Sequence, residues 1–212
     1  MRWTVLIPLK ALPAAKSRLG ATLDPVQHAK VVDAIRADTL TAARAAANVA
    51  RVVVVTDRPG AFDADAVFVQ RTAGLNGGLD EAAADAALRW PQDGIAALVG
   101  DLPALVAGDL EEALTAASGH SCSFVADSAG TGTTLLAVRP GTPLAPAFGE
   151  GSAARHRAAG LELAAGATLR ADVDTQDDLE AARALGVGPR TRAVLEVDAD
   201  ISRSPGPGMM SS

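Results

Sequence analysis

The chain has few aromatics and almost no thiol chemistry: aromatic residues make up 3% of it, tyrosine is absent, and Cys122 is the single cysteine. A lone cysteine cannot close an internal disulfide, so the fold must stand on packing alone. With so little aromatic surface, the core has to be built from Val, Leu, Ile and Ala. No apolar run approaches the ~20 residues that cross a bilayer. Met1-Arg2-Trp3 opens directly into a strand-like run without the apolar segment and cleavage site of a secretory signal, so a reducing cytoplasm is expected. Net charge is −6, which argues against a general nucleic-acid binder, because such a protein needs a basic face. No Cys/His cluster with zinc spacing, no Ser/His/Asp nucleophile pattern and no internal repeat is found. The two glycine-rich phosphate cradles, GxGxxG and GxxxxGK[ST], are missing as well.

What is present is an alternation of strands and helices. Residues 3–7 read as a buried first strand, and Asp24-Pro25 as the cap and first turn of a helix reaching about Ala47. Val52-Val53-Val54-Val55 is apolar on both faces, as a central parallel strand requires, and a weaker strand follows at 66–69. Gly74-Leu75-Asn76-Gly77-Gly78 breaks the pattern before a helix at 79–88; a strand at 95–99 and a helix at 109–117 come next. In the second half, 123–126 and 134–138 read as a hairpin adding an antiparallel edge, and 168–170 as a last strand. Thr175 and Asp178 have the spacing of a capping pair for a helix through Leu185. The expectation is an α/β fold with a mostly parallel sheet flanked by helices. A single domain spans 1–197, and a Ser/Pro/Gly-rich tail at 198–212 is expected to be disordered.

Three cations, Lys10, Lys16 and Arg18, crowd the loop after the first strand. Ligands of open α/β sheets bind at the carboxyl ends of strands, so these side chains can converge on a polyphosphate through charge, without a glycine cradle. A solvated basic loop is the plainer alternative. Asp101 follows a strand and Gly100, and Asp172 and Asp174 follow another predicted strand. Carboxylates from two strand ends suit Mg²⁺, which binds through one or two carboxylates plus substrate phosphates. Each aspartate alone reads equally well as a turn or cap residue. Cations facing metal-bound carboxylates make the charge arrangement of phosphoryl or nucleotidyl transfer. No general base is needed if the attacking group is a phosphate, since it is already anionic and the task is to bring two anions into line. His28 and His120 read as surface residues, and His156 lies in a basic helix.

Pro8-Leu9-Lys10 with Ala15-Lys16-Ser17-Arg18-Leu19, Gly100-Asp101-Leu102-Pro103, Phe124-Val125-Ala126-Asp127 with Gly130-Thr131-Gly132-Thr133, Phe148-Gly149 with Ser152-Ala153-Ala154-Arg155-His156, and Asp172-Val173-Asp174-Thr175 occur in that order. Together they resemble the guanylyltransferases that make the activated phospho-acid precursor of the deazaflavin coenzyme F-420, over nearly the whole chain. The resemblance implies a nucleotidyltransferase-like, Rossmann-like fold and a reaction in which the phosphate of a three-carbon acid attacks the α-phosphorus of GTP. Phosphoenolpyruvate is the favoured acceptor, 2-phospho-L-lactate the alternative. By motif, Thr133, Gly149 and Ser152 would hold the acceptor, with a helix dipole behind Ser152. Asp101 and Asp172 would bind Mg²⁺ with Asp174 nearby, and Lys10, Lys16 and Arg18 would hold the triphosphate. The segment with Leu75, Asn76 and Gly77 would face guanine or ribose. The chain departs from the pattern at Glu150-Gly151, which is expected to add flexibility. A homodimer is compatible with this reading; nucleic acid and membrane are not expected partners. The alternatives are a molybdenum-cofactor or sugar-phosphate nucleotidyltransferase, whose glycine-rich loop is missing here, and a noncatalytic nucleotide-binding module.

Overall fold

β-Branched and aliphatic residues that are apolar at consecutive positions need cover on both faces, and the central strands receive it. The computed structural model describes residues 1–9, 25–60 and 62–203, with side chains through Glu196. Its strands are β1 (Trp3–Pro8), β2 (Val49–Thr56), β3 (Ala66–Val69), β4 (Gly94–Leu98), β5 (Cys122–Ala126), β6 (Thr133–Val138) and β7 (Leu161–Glu162). Its helices are α1 (Pro25–Ala45), α2 (Leu75–Arg89), α3 (Ala107–Ala117), α4 (Ser152–Arg157), α5 (Ala167–Arg170), α6 (Gln176–Leu185) and α7 (Pro189–Arg203). The strands form one sheet in the order β3-β2-β1-β4-β6-β5-β7. Trp3, Val5, Ile7, Val52 and Val54 point to the α1/α3 layer, while Leu6, Val53 and Val55 point to the α2/α4 layer. A third cluster packs Val31, Val32 and Ile35 of α1 against Leu179, Ala182 and Val187 around α6. Among the described residues, no helix is long and apolar enough to cross a membrane.

The sheet is parallel from β3 through β4, and the expected β5–β6 hairpin forms. Its antiparallel strand is not at an edge, however: β6 pairs with β4 on one side and β5 on the other. All six residues of β6 are buried, and a strand with two buried faces belongs inside the sheet; the short, exposed β7 takes the edge.

Three other expectations are corrected. Helix α2 starts at Leu75, four residues early, and takes in Gly77 and Gly78. A side chain at Gly77 would collide with Thr72 and one at Gly78 with Gln70, so these glycines permit close approach to the preceding loop and do not break the helix. Residues 168–170 form a helical turn, not a strand. The Thr168 hydroxyl donates to Asp109 at 2.6 Å while Leu169 is buried, and so short a stretch shows no period. Helix α7 continues past the expected boundary at 198 to Arg203. Its first turn is capped from another element: the buried Asp38 of α1 accepts hydrogen bonds from the Arg190 and Thr191 amides at 3.2 and 2.8 Å. Asp24 and the residues after 203 lie outside the described residues.

At the amino ends of the strands a closed polar knot ties β1, β2 and β4 together. Arg51 bonds the Thr4 hydroxyl and pairs with Asp93, the Thr4 hydroxyl donates to Asp93, and Arg51 stacks 4.2 Å over the Trp90 ring.

Candidate active site

The carboxyl ends of the parallel strands open on a cleft of about 790 Å³. Asp101 enters it from the turn after β4, which is pinned three times. The Leu102 amide donates to the buried Thr39 hydroxyl at 3.0 Å, the Val173 amide to the Asp101 carbonyl at 3.1 Å, and the Gly188 amide to the Pro103 carbonyl at 2.8 Å. The second of these bonds also places Asp172 and Asp174 beside Asp101. Asp174 stands at the start of α6, where the Thr175–Asp178 capping box forms as expected. Asp127, at the end of β5, accepts from the Thr131 and Gly132 amides at 2.9 and 2.8 Å and so folds the β5–β6 turn. Arg170 fastens that turn from behind by donating to the Ala126 and Asp127 carbonyls.

These carboxylates crowd one another. Burial, followed by the charges of Asp101, Asp127 and Asp174, pushes the Asp172 carboxyl up from 3.8 to about 7. Arg36 of α1 is within electrostatic reach of Asp101, though burial lowers its own pKa. Among the described residues, no three His, Cys, Asp or Glu side chains close into a ready-made cation cage. The donor set nevertheless fits Mg²⁺. That ion is commonly held by one or two carboxylates and completes its shell with water and phosphate, and a cation would relieve the repulsion around Asp172.

The opposite wall is built from hydroxyls and a glycine loop. The Ser152 hydroxyl lies 3.1 Å from that of Thr133, and Thr133 lies 2.8 Å from Nδ1 of His156. The loop at 147–151 is held at both flanks. Asn76 bonds both the amide and the carbonyl of Phe148, at 2.8 and 3.1 Å, and Arg155 donates to the carbonyls of Ala147 and Glu150. Gly149 and Gly151 have φ of 117° and 69°, a region that side chains avoid. The Glu150-Gly151 departure therefore supplies a fixed left-handed turn clasped by Arg155, and not slack. Helix α4 has only six residues, so the dipole expected behind Ser152 is small.

The structure brings Asp101, Asp172, Asp174, Thr133, Gly149, Ser152 and Leu75 to this one cleft. Asn76 and Gly77 stand back from it: the amide of Asn76 is engaged by Phe148, and Gly77 packs on Thr72. Lys10, Lys16 and Arg18 lie outside the described residues. Leu9, just before them, packs where a side chain on Gly100 would be, next to Asp101. The sequence gives no role to Asp127 or His156, though both stand in the quoted motifs, and does not single out Arg36. The segment from Asp127 to Thr133 reads as the hairpin loop it forms, whereas nothing local marks Arg36 or the ring of His156.

The profile of the family described as "Guanylyl transferase CofC like" matches residues 3–204. The phosphoenolpyruvate guanylyltransferase of Thermomonospora curvata is 47% identical over 203 residues, covering 92% of this chain and 89% of its own length. That of Streptomyces coelicolor is 48% identical, covering 92% and 96%. Among solved structures, a 4-diphosphocytidyl-2C-methyl-D-erythritol synthase superposes with a TM-score of 0.59 at 14% identity, covering 87% of this chain and 98% of its own. The manganese complex of Rv0371C from Mycobacterium tuberculosis H37Rv superposes with a TM-score of 0.55 at 21% identity, covering 85% and 97%. These two likenesses show the nucleotidyltransferase-like fold, and with the profile and the near relatives they establish that the chain belongs to the CofC-like guanylyl transferase family.

Proposed function

We propose that this chain transfers the GMP moiety of GTP to the phosphate of phosphoenolpyruvate. The products are enolpyruvoyl-2-diphospho-5′-guanosine and pyrophosphate, made in coenzyme F-420 biosynthesis. One juxtaposition carries the reading: a single cleft sets crowded carboxylates against a wall of hydroxyls and a glycine turn. The names of the relatives in Thermomonospora and Streptomyces support the choice of substrates.

Thr133, Ser152 and the Gly149 turn bind the carboxylate and phosphate of the acceptor, and Leu75 borders the guanosine. Lys10, Lys16 and Arg18 hold the triphosphate. Asp101 and Asp172, with Asp174 at the rim, hold Mg²⁺, which when bound supplies charge neutralisation and Lewis acidity at the phosphates. An acceptor phosphate oxygen attacks the α-phosphorus of GTP. The bond from that phosphorus to the bridging oxygen breaks, and pyrophosphate leaves with the electron pair. The nucleophile carries no proton that must be removed, so the chain's work is alignment and screening. A reducing cytoplasmic setting goes with this reading.

Incubation with Mg²⁺, GTP and phosphoenolpyruvate tests it. Pyrophosphate is expected in equal amount to a product of the enolpyruvoyl diphosphoguanosine mass, with kcat/KM above that for 2-phospho-L-lactate. Turnover with 2-phospho-L-lactate alone changes the acceptor, turnover with a sugar phosphate alone changes the enzyme class, and GTP binding without turnover leaves a binding module.

A further inference from the structure

We propose that His156 is a positioning residue that sets the hydrogen-bond direction of the Thr133–Ser152 pair, so that one hydroxyl proton is held out toward the phospho-acid. The inference rests on the reading of that wall as the acceptor site.

Ala147 donates its N–H to Nε2 of His156 at 3.1 Å. An amide hydrogen cannot be turned around, so Nε2 must be the bare, accepting nitrogen. A neutral ring then carries its proton on Nδ1, and the ring is 2% exposed, walled by Phe148 at 5.2 Å and Phe124 at 6.0 Å between centroids. Burial and the neighbouring Arg155 both lower the pKa of His156, which favours that neutral form. Nδ1 is 2.8 Å from the Thr133 hydroxyl, so Thr133 must accept there. Two hydroxyl protons remain, one on Thr133 and one on Ser152, and the 3.1 Å contact between the oxygens consumes one of them. The other has only the cleft to point into, since both residues line it. The opposite tautomer would turn Nδ1 into an acceptor, draw the Thr133 proton inward and press Nε2–H against the Ala147 amide. The amide's aim is set by the loop, in which Ala145 is the one non-glycine residue with positive φ (43°) among those described.

A preset donor matters because the acceptor is an anion, and a hydrogen bond to a charged group is worth more than a neutral one. His156→Gln keeps an acceptor near the Nε2 position for Ala147 and removes the donor to Thr133. His156→Asn puts an amide N–H near the Nδ1 position and restores that donor. The expected result is a rise of about tenfold in the phosphoenolpyruvate KM for His156→Gln, with the GTP KM and melting temperature held within narrow limits, and substantial rescue in His156→Asn. The double variant Thr133→Val/His156→Gln should be no worse than Thr133→Val alone. In the unaltered protein, long-range ¹H–¹⁵N NMR should show the His156 ring with its proton on Nδ1, a readout independent of whether the variants fold. A proton on Nε2, or Gln and Asn variants with equal acceptor KM values while Thr133→Val raises it, overturns the proposal. An unchanged acceptor KM in Thr133→Val instead removes the acceptor assignment, and the inference falls with it.

Discussion

The two ends of the same sheet treat charge in opposite ways. At the amino ends of β1, β2 and β4, Asp93 has a full set of partners: Arg51, the Thr4 hydroxyl and, through the Arg51 stack, the Trp90 face. At the carboxyl ends, Asp101, Asp127, Asp172 and Asp174 are gathered into one cleft, and burial, followed by the charges of the other three, raises the Asp172 carboxyl to about 7. The closed knot stabilises the fold, while the open cluster is an electrostatic cost that a bound cation would offset.

The largest expected effect falls on the open end. Asp101→Ala should lower kcat/KM by roughly 10³-fold, equivalent to several kcal/mol of lost charge stabilisation, while the protein still folds and unfolds cooperatively. A variant near the normal rate would separate the cluster from catalysis. Next comes the closed end: Arg51→Met should cost about 2 kcal/mol in denaturant unfolding by stranding Asp93, and leave the KM values of the folded enzyme alone. Loss of activity without loss of stability would erase the distinction between the two ends.

Without magnesium, the raised carboxyl of Asp172 makes stability depend on pH. Its contribution is complete below the unfolded value of 3.8, shrinks as pH rises, and is gone above about 7. Asp172→Asn should therefore gain on the order of 5 °C over the parent at pH 8 and little at pH 4, by calorimetry. Added Mg²⁺ should raise the melting temperature of the parent more at pH 8 than at pH 5. The smallest effect is at the capping box: Thr175→Ala should cost about 1 kcal/mol of stability and move Asp174 enough to change the magnesium concentration needed for half-maximal rate.

Much of this was legible in the chain. Consecutive β-branched runs at Val52–Val55 announced a strand covered on both faces, and β3 at Ala66–Val69 was read at its observed limits. Thr175 and Asp178 announced their cap because both partners lie within one turn. Two expectations fail on packing against another segment: α2 takes in Gly77 and Gly78, where a side chain would collide with Thr72 or Gln70 of the preceding loop, and α7 is capped by Asp38 across the molecule. The motifs name Asp101, Thr133, Gly149 and Ser152, and the fold gathers all four at one cleft. The clamp of Asn76 on Phe148 was not legible, because it spans 72 positions of sequence.

By itself the sequence determined the alternation of buried strands and helices, the residue types at the strand ends and the likeness to one family, since periodicity, turn chemistry and motif order are local properties of a chain. Only the tertiary structure decided that β6 lies inside the sheet, that Asp172 shares its field with three other carboxylates, and that a backbone amide at Ala147 orients the ring of His156. Those outcomes depend on electrostatic and hydrogen-bond partners that no local periodicity brings together, and such partners meet only once the chain has folded.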